Sequence, residues 1–212
     1  MKLPSQRAQA EGSAGMTLIE VIVAISIMGI IATAVVGLSI TSQTSAAAQQ
    51  RQGLAVTVAN EAMEHVSAQA AGTNSVTGES YLFRGRTQSA VTANWTANAG
   101  VGGLSDTYAG WDSAAVASST PIVPMSSSAT RSGTKYTTDT LIGTCYQATS
   151  GKGNCVRPTS SNPVAAPAGT TRIIRVIVVV RWTAGSGCAA GCSYQTTSLV
   201  DPHFDLQWQT NG

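Results

Sequence analysis

The chain has 212 residues, a formal net charge of +2 and charged side chains at 10% of its positions. This length is enough for one extended helix and one modest domain, but hardly for two full domains. A charge this close to neutral implies no bulk electrostatic attraction to nucleic acid. Because few residues are charged, Ser, Thr, Asn, Gln and Gly must keep the parts outside any membrane soluble, which is typical of an exported, β-rich surface.

An almost purely apolar run follows a short polar leader near the N-terminus. From Leu18 to Ile40 there are 23 residues, and only Glu20 is charged. A helix of this length spans roughly 35 Å, against roughly 30 Å for the hydrocarbon core of a bilayer. The run therefore predicts a transmembrane helix. Lys2 and Arg7 in the leader favour an orientation with the N-terminus in the cytoplasm and the rest of the chain outside.

A cleaved secretory signal is the alternative for this segment. Such a signal has its cleavage site after the apolar region, with small residues at the cut. Here the run is long and continues without a proline into a polar helical pattern. We therefore expect the apolar segment to be retained in the mature protein.

The start of the run, AGMTLIEVIVAISIMG, resembles the type IV prepilin signal. That signal has a hydrophilic leader ending in glycine, a hydrophobic residue after the cut and a glutamate at the fifth mature position. The matching residues here are Gly15, Met16 and Glu20. Gly29 falls where the family often has glycine, whereas Gly37 stands where many major pilins have a kinking proline. This departure favours a minor pilin or a pseudopilin over a major subunit.

The resemblance implies a maturation pathway and a set of partners. A membrane prepilin peptidase would cut between Gly15 and Met16 on the cytoplasmic side and N-methylate Met16. A glycine before the cut lets the backbone enter a tight active site without a side-chain clash. The implied partners are this peptidase, other pilin subunits that pack through the N-terminal helix, and the platform protein of a pilus or secretion system. No cofactor is expected.

Glu20 has two interpretations. A carboxylate at membrane depth is costly unless it lies near the interface or finds a partner. Near the helix start it could be partly solvated, where the helix N-terminus also favours an anion. The resemblance instead implies that Glu20 pairs with the methylated Met16 amine of a neighbouring subunit, and so brings each protomer into register in a fibre.

Residues 41–71 continue the helical pattern with an apolar stripe on one side. The stripe recurs every four residues, at Leu54, Val58, Ala62 and Val66. We expect this half of the helix to dock on an exported, β-rich head formed by residues 72–212. A coiled-coil seam with another subunit is the alternative, but the repeat is short and rich in alanine. Gly72 is the predicted helix stop.

The first part of the head, residues 73–130, is rich in turn signals such as NAGVGG and SSTP. Short strands are predicted around Tyr81–Phe83 and Val91–Trp95. Three aromatic residues are expected to anchor this region by partial burial, with an exposed adhesive surface as the alternative: Trp95, Tyr108 and Trp111.

The second part of the head contains the clearest strands. Residues 134–142 predict one strand, and residues 172–182, RIIRVIVVVRW, predict the strongest. One face of the latter is wholly apolar and should pack on the helix stripe: Ile174, Val176, Val178, Val180 and Trp182. The other face is mixed, as on a half-solvated antiparallel sheet: Ile173, Arg175, Ile177, Val179 and Arg181.

Two further strands complete the predicted sheet. The segment 194–200, YQTTSLV, follows a Gly-rich turn and predicts a hairpin with the strong strand. Phe204, Leu206 and Trp208 alternate at period two after it. The predicted fold class is therefore α+β, with a long N-terminal helix, first transmembrane and then amphipathic, packed on a small antiparallel sheet.

Four cysteines lie in the second part of the head, where export would oxidise them. Three pairings are possible. We favour Cys145–Cys155 and Cys188–Cys192, because each pair brackets turn-forming residues. A zinc site of four cysteines, or of three with His203, is the alternative, but the spacings match no common zinc motif.

No catalytic constellation is apparent. The two histidines, His65 and His203, have no recognisable partners in sequence, and neither a nucleophile elbow nor a phosphate loop occurs. The sequence therefore predicts a protein that is not an enzyme.

The predicted function is a structural and assembly subunit. VANEAMEHV in the helix and IRVIVVVRWTAG in the strong strand look like minor pilins of the PilV type and the related type II secretion pseudopilins. The chain would be a single-pass protein of the cytoplasmic membrane with its head outside, and then part of a surface pilus or a periplasmic pseudopilus. A third hypothesis is a head that binds DNA or a surface ligand through a basic patch: Arg84, Arg86, Arg131 and Lys135.

Overall fold

The computed structural model describes residues 16–69, 72, 79–151, 153–163, 165–184 and 188–202. Their fold is α+β, with a long N-terminal helix and a small antiparallel five-stranded sheet, as the sequence predicts. The chain divides into two compact units after Ala48. Gly15 and the strand predicted around Phe204, Leu206 and Trp208 lie outside the described residues, as does His203.

Helix α1 (Leu18–Ser67) begins in the first unit. From Leu18 to Thr44 every side chain is exposed, including Leu18 at 81% and Leu38 at 72%. Hydroxyl groups in this stretch donate to carbonyls of the preceding turn, as Ser26 does to Ile22 and Thr41 does to Gly37. They are thereby satisfied without water. By length and composition, α1 can cross a membrane.

The second unit contains the C-terminal part of α1, which packs on the sheet. All four residues of the predicted stripe face the main core: Val58 and Val66 are buried in it, and Leu54 and Ala62 are partly buried against it. Ala55 and Ala59 are fully buried beside them, because their small side chains let the helix approach the sheet closely. The predicted docking is therefore confirmed. The helix ends at Ser67, earlier than the predicted residue 71.

The described strands form one antiparallel sheet. The order is β1-β3-β4-β5, and β2 pairs with β3 on the same edge as β1. Their bounds are Tyr108–Ala109 for β1, Ser126–Arg131 for β2, Thr134–Ala148 for β3, Thr170–Ala184 for β4 and Cys188–Val200 for β5. Ser132 and Gly133, at φ 47° and 75°, form the two-residue turn of the β2–β3 hairpin, and positive φ at both positions suits the twist of the strands. The predicted β4–β5 hairpin is confirmed.

The strong strand, β4, is buried on both faces. Its apolar face packs on α1 as predicted, and Val176, Val178 and Val180 are completely buried. The prediction that the other face is half-solvated is wrong. Ile177 and Val179 pack there with Leu104 and Leu141 in a second core cluster.

The first part of the head differs from its prediction. Tyr81–Phe83 is a 3₁₀ helix whose N-cap, Ser80, accepts a hydrogen bond from the backbone N–H of Leu82 at 3.2 Å. The strand predicted at Val91–Trp95 lies within helix α2 (Gln88–Ala97), which Thr87 caps by accepting from the N–H of Ala90. Capping groups at both starts favour helical turns over extended strands.

Candidate functional site

The N-terminal segment carries the residues that the sequence analysis places in maturation. Met16 is 75% exposed, and α1 begins two residues later. The backbone N–H groups of Glu20 and Val21 both donate to the carbonyl of Thr17, at 3.1 and 3.3 Å. Thr17 thus closes the first turn, and Glu20 lies within it.

Glu20 is the acidic residue of the first helical turn. Among the described residues no cation lies within ion-pairing distance of its carboxylate. The side chains on either side of it, Ile19 and Val21, are apolar and exposed. A carboxylate surrounded by an apolar surface is stable at a wet interface or beside an external cation. The helix N-terminus adds an attraction of about 0.3–1 kcal/mol for the anion.

Two disulfides link the four cysteines in local pairs, the pairing that the sequence favours. The Cα–Cα distances are 5.4 Å for Cys145–Cys155 and 5.2 Å for Cys188–Cys192. Cys145 and Cys155 are buried with Ile173, whereas the second pair lies half-buried at the β4–β5 hairpin. The two bonds take up all four sulfurs that the alternative zinc site would need.

The suggested basic patch is not formed. Arg86 is only 1% exposed, and its Nη2 donates to the carbonyl of Thr140. This carbonyl lies on the edge of β3 between the segments paired with β2 and β1, so Arg86 fills the gap between those two strands. Burial lowers the pKa of Arg86 to about 10. Arg131 makes a surface ion pair with Glu61 at 3.2 Å.

Two of the three predicted aromatic anchors, Tyr108 and Trp95, make packing contacts within the head. Tyr108 is 4% exposed and packs edge-on against Tyr146, with ring centroids 6.2 Å apart. Trp95 is half-buried and packs against the second core cluster. Trp95 also lines a groove of about 410 Å³, which Arg157 lines from another loop. Trp111, the third, is half-buried elsewhere in the head.

Sequence reasoning missed two arginines with structural contacts. Arg157 lies over the Tyr108 ring, with its guanidinium carbon 4.7 Å from the ring centroid. Arg175 is 8% exposed and donates to the carbonyls of Gly103 and Cys155. Burial lowers the pKa of Arg175, and the charge of Asp106 partly opposes this. Both contacts join distant parts of the chain, so no local pattern indicates them.

The family described as the prokaryotic N-terminal methylation motif matches residues 12–36. No curated protein and no solved structure matches the chain significantly. The matched segment contains Gly15, Met16 and Glu20, together with most of the apolar part of α1. The match supports a type IV pilin-like prepilin family, which is structural rather than enzymatic. The motif implies processing by a prepilin peptidase and assembly with other pilin subunits, and with the apolar helix it suggests membrane anchoring before assembly.

Proposed function

We propose that this chain is a minor pilin, a structural and assembly subunit of a type IV pilus. A prepilin peptidase removes residues 1–15 and methylates the new amino group of Met16. The subunit is then stored in the cytoplasmic membrane through residues 16–40, with its head outside. Assembly moves the apolar helix from lipid into the core of the filament.

The observation that carries this proposal is the coincidence of the methylation motif with an apolar helical segment whose side chains are all exposed. The motif covers residues 12–36, and α1 begins within it. Because the side chains of α1 are all exposed from Leu18 to Thr44, this stretch is stable only in lipid or against other apolar helices. A filament core supplies the second environment after the membrane has supplied the first.

Glu20 has a specific role in this proposal. Cleavage creates a cationic amine at Met16, and Glu20 lies in the first turn of the following helix without a cation among the described residues. Pairing with the amine of a neighbouring subunit neutralises both charges in the apolar core. A Glu20 carboxylate or a Met16 amine left without its partner would be costly there. The pairing therefore selects a single axial register.

The first test is the mature N-terminus. N-terminal sequencing and intact mass of the protein from membranes should give a chain that begins at Met16 and carries one added methyl group. The Gly15→Val variant should remain uncleaved, because its side chain clashes in the peptidase site. A mature protein that begins at Met1, or beyond Ile40, would refute the proposal.

The second test separates processing from assembly. Glu20→Ala should be cleaved normally and accumulate in the membrane, but its recovery in sheared filaments should fall by about tenfold or more, as loss of a buried ion pair predicts. Glu64→Ala, which removes an exposed carboxylate later in α1, is the matched control and should assemble normally. Normal incorporation of Glu20→Ala would contradict the pairing.

A pseudopilin of a type II secretion system is the alternative, and the glycine at position 37 is compatible with both. Fractionation distinguishes them. A minor pilin is recovered with sheared surface filaments, and its deletion reduces piliation. A pseudopilin is absent from those filaments, and its deletion blocks export of secreted proteins instead.

A further inference from the structure

We propose that the groove beside α2 binds a carboxylate-bearing saccharide. The groove has a volume of about 410 Å³ and lies between α2, the loop before β1 and the loop that carries Arg157. It is a property of the second unit alone. The proposal therefore does not depend on whether the chain joins a pilus or a pseudopilus.

The Arg157 guanidinium is fixed through its Nε and Nη2 atoms, whereas its Nη1 atom is free to bind a ligand. Its Nε donates to the carbonyl of Thr159 at 3.3 Å, its Nη2 donates to the carbonyl of Ser160, and its guanidinium lies over the Tyr108 ring. Within the described residues Nη1 makes no hydrogen bond. A guanidinium that is already oriented loses little entropy when it binds a carboxylate.

The loop that carries Arg157 is attached to the sheet at several points. The Cys145–Cys155 disulfide lies two residues before Arg157. Tyr146 and Val156 exchange two backbone hydrogen bonds of 2.9 Å.

The Tyr108 side chain fixes the loop on the other side of Arg157. Its hydroxyl donates to the carbonyl of Thr159 at 2.6 Å and accepts from the N–H of Thr159 at 2.9 Å. Most residues of this loop are exposed, so the attachments position a surface rather than complete a core.

The opposite wall supplies an aromatic ring and short hydroxyl groups. Trp95 is half-buried, and its packing against Leu104 and the second core cluster fixes the ring. The hydroxyls around it come from Thr92, Thr96 and Ser105. None of the lining residues that the structure describes is acidic.

This combination matches the chemistry of an acidic sugar. The electron-rich face of an indole ring accommodates the C–H surface of a pyranose. Thr92 and Thr96 donate their hydroxyl protons to the carbonyls of Gln88 and Thr92, so their oxygens can accept hydrogen bonds from sugar hydroxyls. One arginine with a free Nη1 matches one carboxylate. Nucleic acid fits less well, because a strand needs several cations along its path, and among the described residues that line this groove only Arg157 is cationic.

Titration of the full-length mature protein in lipid nanodiscs tests the proposal. The tryptophan indoles are labelled with ¹⁵N, and the Trp95 signal is assigned with Trp95→Phe. Sialyllactose and tri-galacturonic acid are the carboxylated probes, and lactose is the neutral control. At least one carboxylated probe should shift the Trp95 signal in a saturable manner, and lactose should bind at least about fivefold more weakly.

Arg157→Gln should weaken binding of the carboxylated probe by about tenfold, while Arg157→Lys should retain part of it. Arg84→Gln removes an equal charge at an exposed position outside the groove and should bind as the wild type does. Thermal unfolding and the mass of the oxidised protein check that Arg157→Gln keeps its fold and disulfides.

Three outcomes would overturn the proposal. The first is that neither carboxylated probe shifts Trp95 at millimolar concentration. The second is that correctly folded Arg157→Gln binds the probe as tightly as Arg84→Gln. The third is that single-stranded DNA binds with a steep salt dependence and displaces the saccharide, which would assign the groove to nucleic acid.

Discussion

The two disulfides should contribute unequally to stability, although each closes a short loop. We predict that the double variant Cys145→Ala/Cys155→Ala is destabilised by about 4–5 kcal/mol, and Cys188→Ala/Cys192→Ala by only about 2 kcal/mol. The comparison is well matched, because each variant removes one disulfide bond and two sulfur atoms from the same domain.

The difference follows from loop length and burial. The bonded cysteines are 10 residues apart in the first pair and 4 in the second. Restricting the unfolded chain accounts for about 2.7 and about 1.9 kcal/mol, respectively. The remainder comes from packing, because Cys145 and Cys155 are 0% and 2% exposed and contact Ile173. Each sulfur removed from such a site costs about 1 kcal/mol, whereas the second pair is half-buried.

Urea unfolding of the mature protein in detergent, followed by tryptophan fluorescence, measures both values. Limited reduction with dithiothreitol independently shows which of the two disulfides is more accessible. The half-buried Cys188–Cys192 bond should be reduced first, because a thiolate reaches it more easily. Equal destabilisation of the two variants, or earlier reduction of Cys145–Cys155, would refute the argument from burial.

Three substitutions in the sheet test its local geometry. Gly143→Ala should destabilise the protein by about 3 kcal/mol or more, because its Cβ would lie 2.1 Å from the carbonyl oxygen of Tyr108; a urea midpoint equal to that of the wild type would contradict this contact. Thr138→Val should stabilise it by about 1 kcal/mol, since the hydroxyl is buried and has no partner within the described residues, and a lowered Tm would show that the hydroxyl is satisfied. Ser132→Asn should raise Tm slightly, because asparagine tolerates the φ of 47° better than serine; an unchanged or lower Tm would argue against strain at this turn.

The helix–sheet core could be read from the sequence because its patterns are local. The four-residue repeat through Val58 and Val66 and the two-residue repeat through Val176 and Val178 each specify one apolar face. Two such faces in one small domain must cover each other. The structure packs them together in one cluster.

The opposite face of β4 could not be read in this way. Arg175 and Arg181 alternate with apolar residues, a pattern typical of a solvated face. In the structure Arg175 is satisfied by carbonyls, including that of Gly103, and Arg181 pairs with Asp139 at 2.7 Å. These partners lie 72 and 42 residues away along the chain, so the alternation gives no sign of them.

The wrong prediction of a strand at Val91–Trp95, where the structure has helix α2, has a different cause. The segment around Val91 and Thr92 contains β-branched and aromatic residues, which are enriched in strands. The deciding residue is Thr87, which lies before the segment and caps the helix. A cap has a larger local effect than the small differences in intrinsic propensity that favour a strand.

The two candidate sites differ in how far sequence can reveal them. A peptidase acts on a linear segment, so Gly15, Met16 and Glu20 are recognisable from their spacing alone. The groove of Trp95 and Arg157 depends on a disulfide, a strand bridge and a tyrosine hydroxyl that join separate segments. Its chemistry therefore becomes apparent only when these segments are folded.

The two units differ in whether they need a partner to cover their apolar side chains. From Leu18 to Thr44 no side chain of α1 is buried, so this stretch needs lipid or other subunits around it. In the second unit β4 is covered on both faces, and its core is closed by residues of the same unit. Because that core is complete without a partner, changes in the surface loops around Arg157 can alter what the head binds with little effect on how α1 assembles. Variants of the groove should for this reason leave filament incorporation unchanged, while Glu20→Ala should leave saccharide binding unchanged.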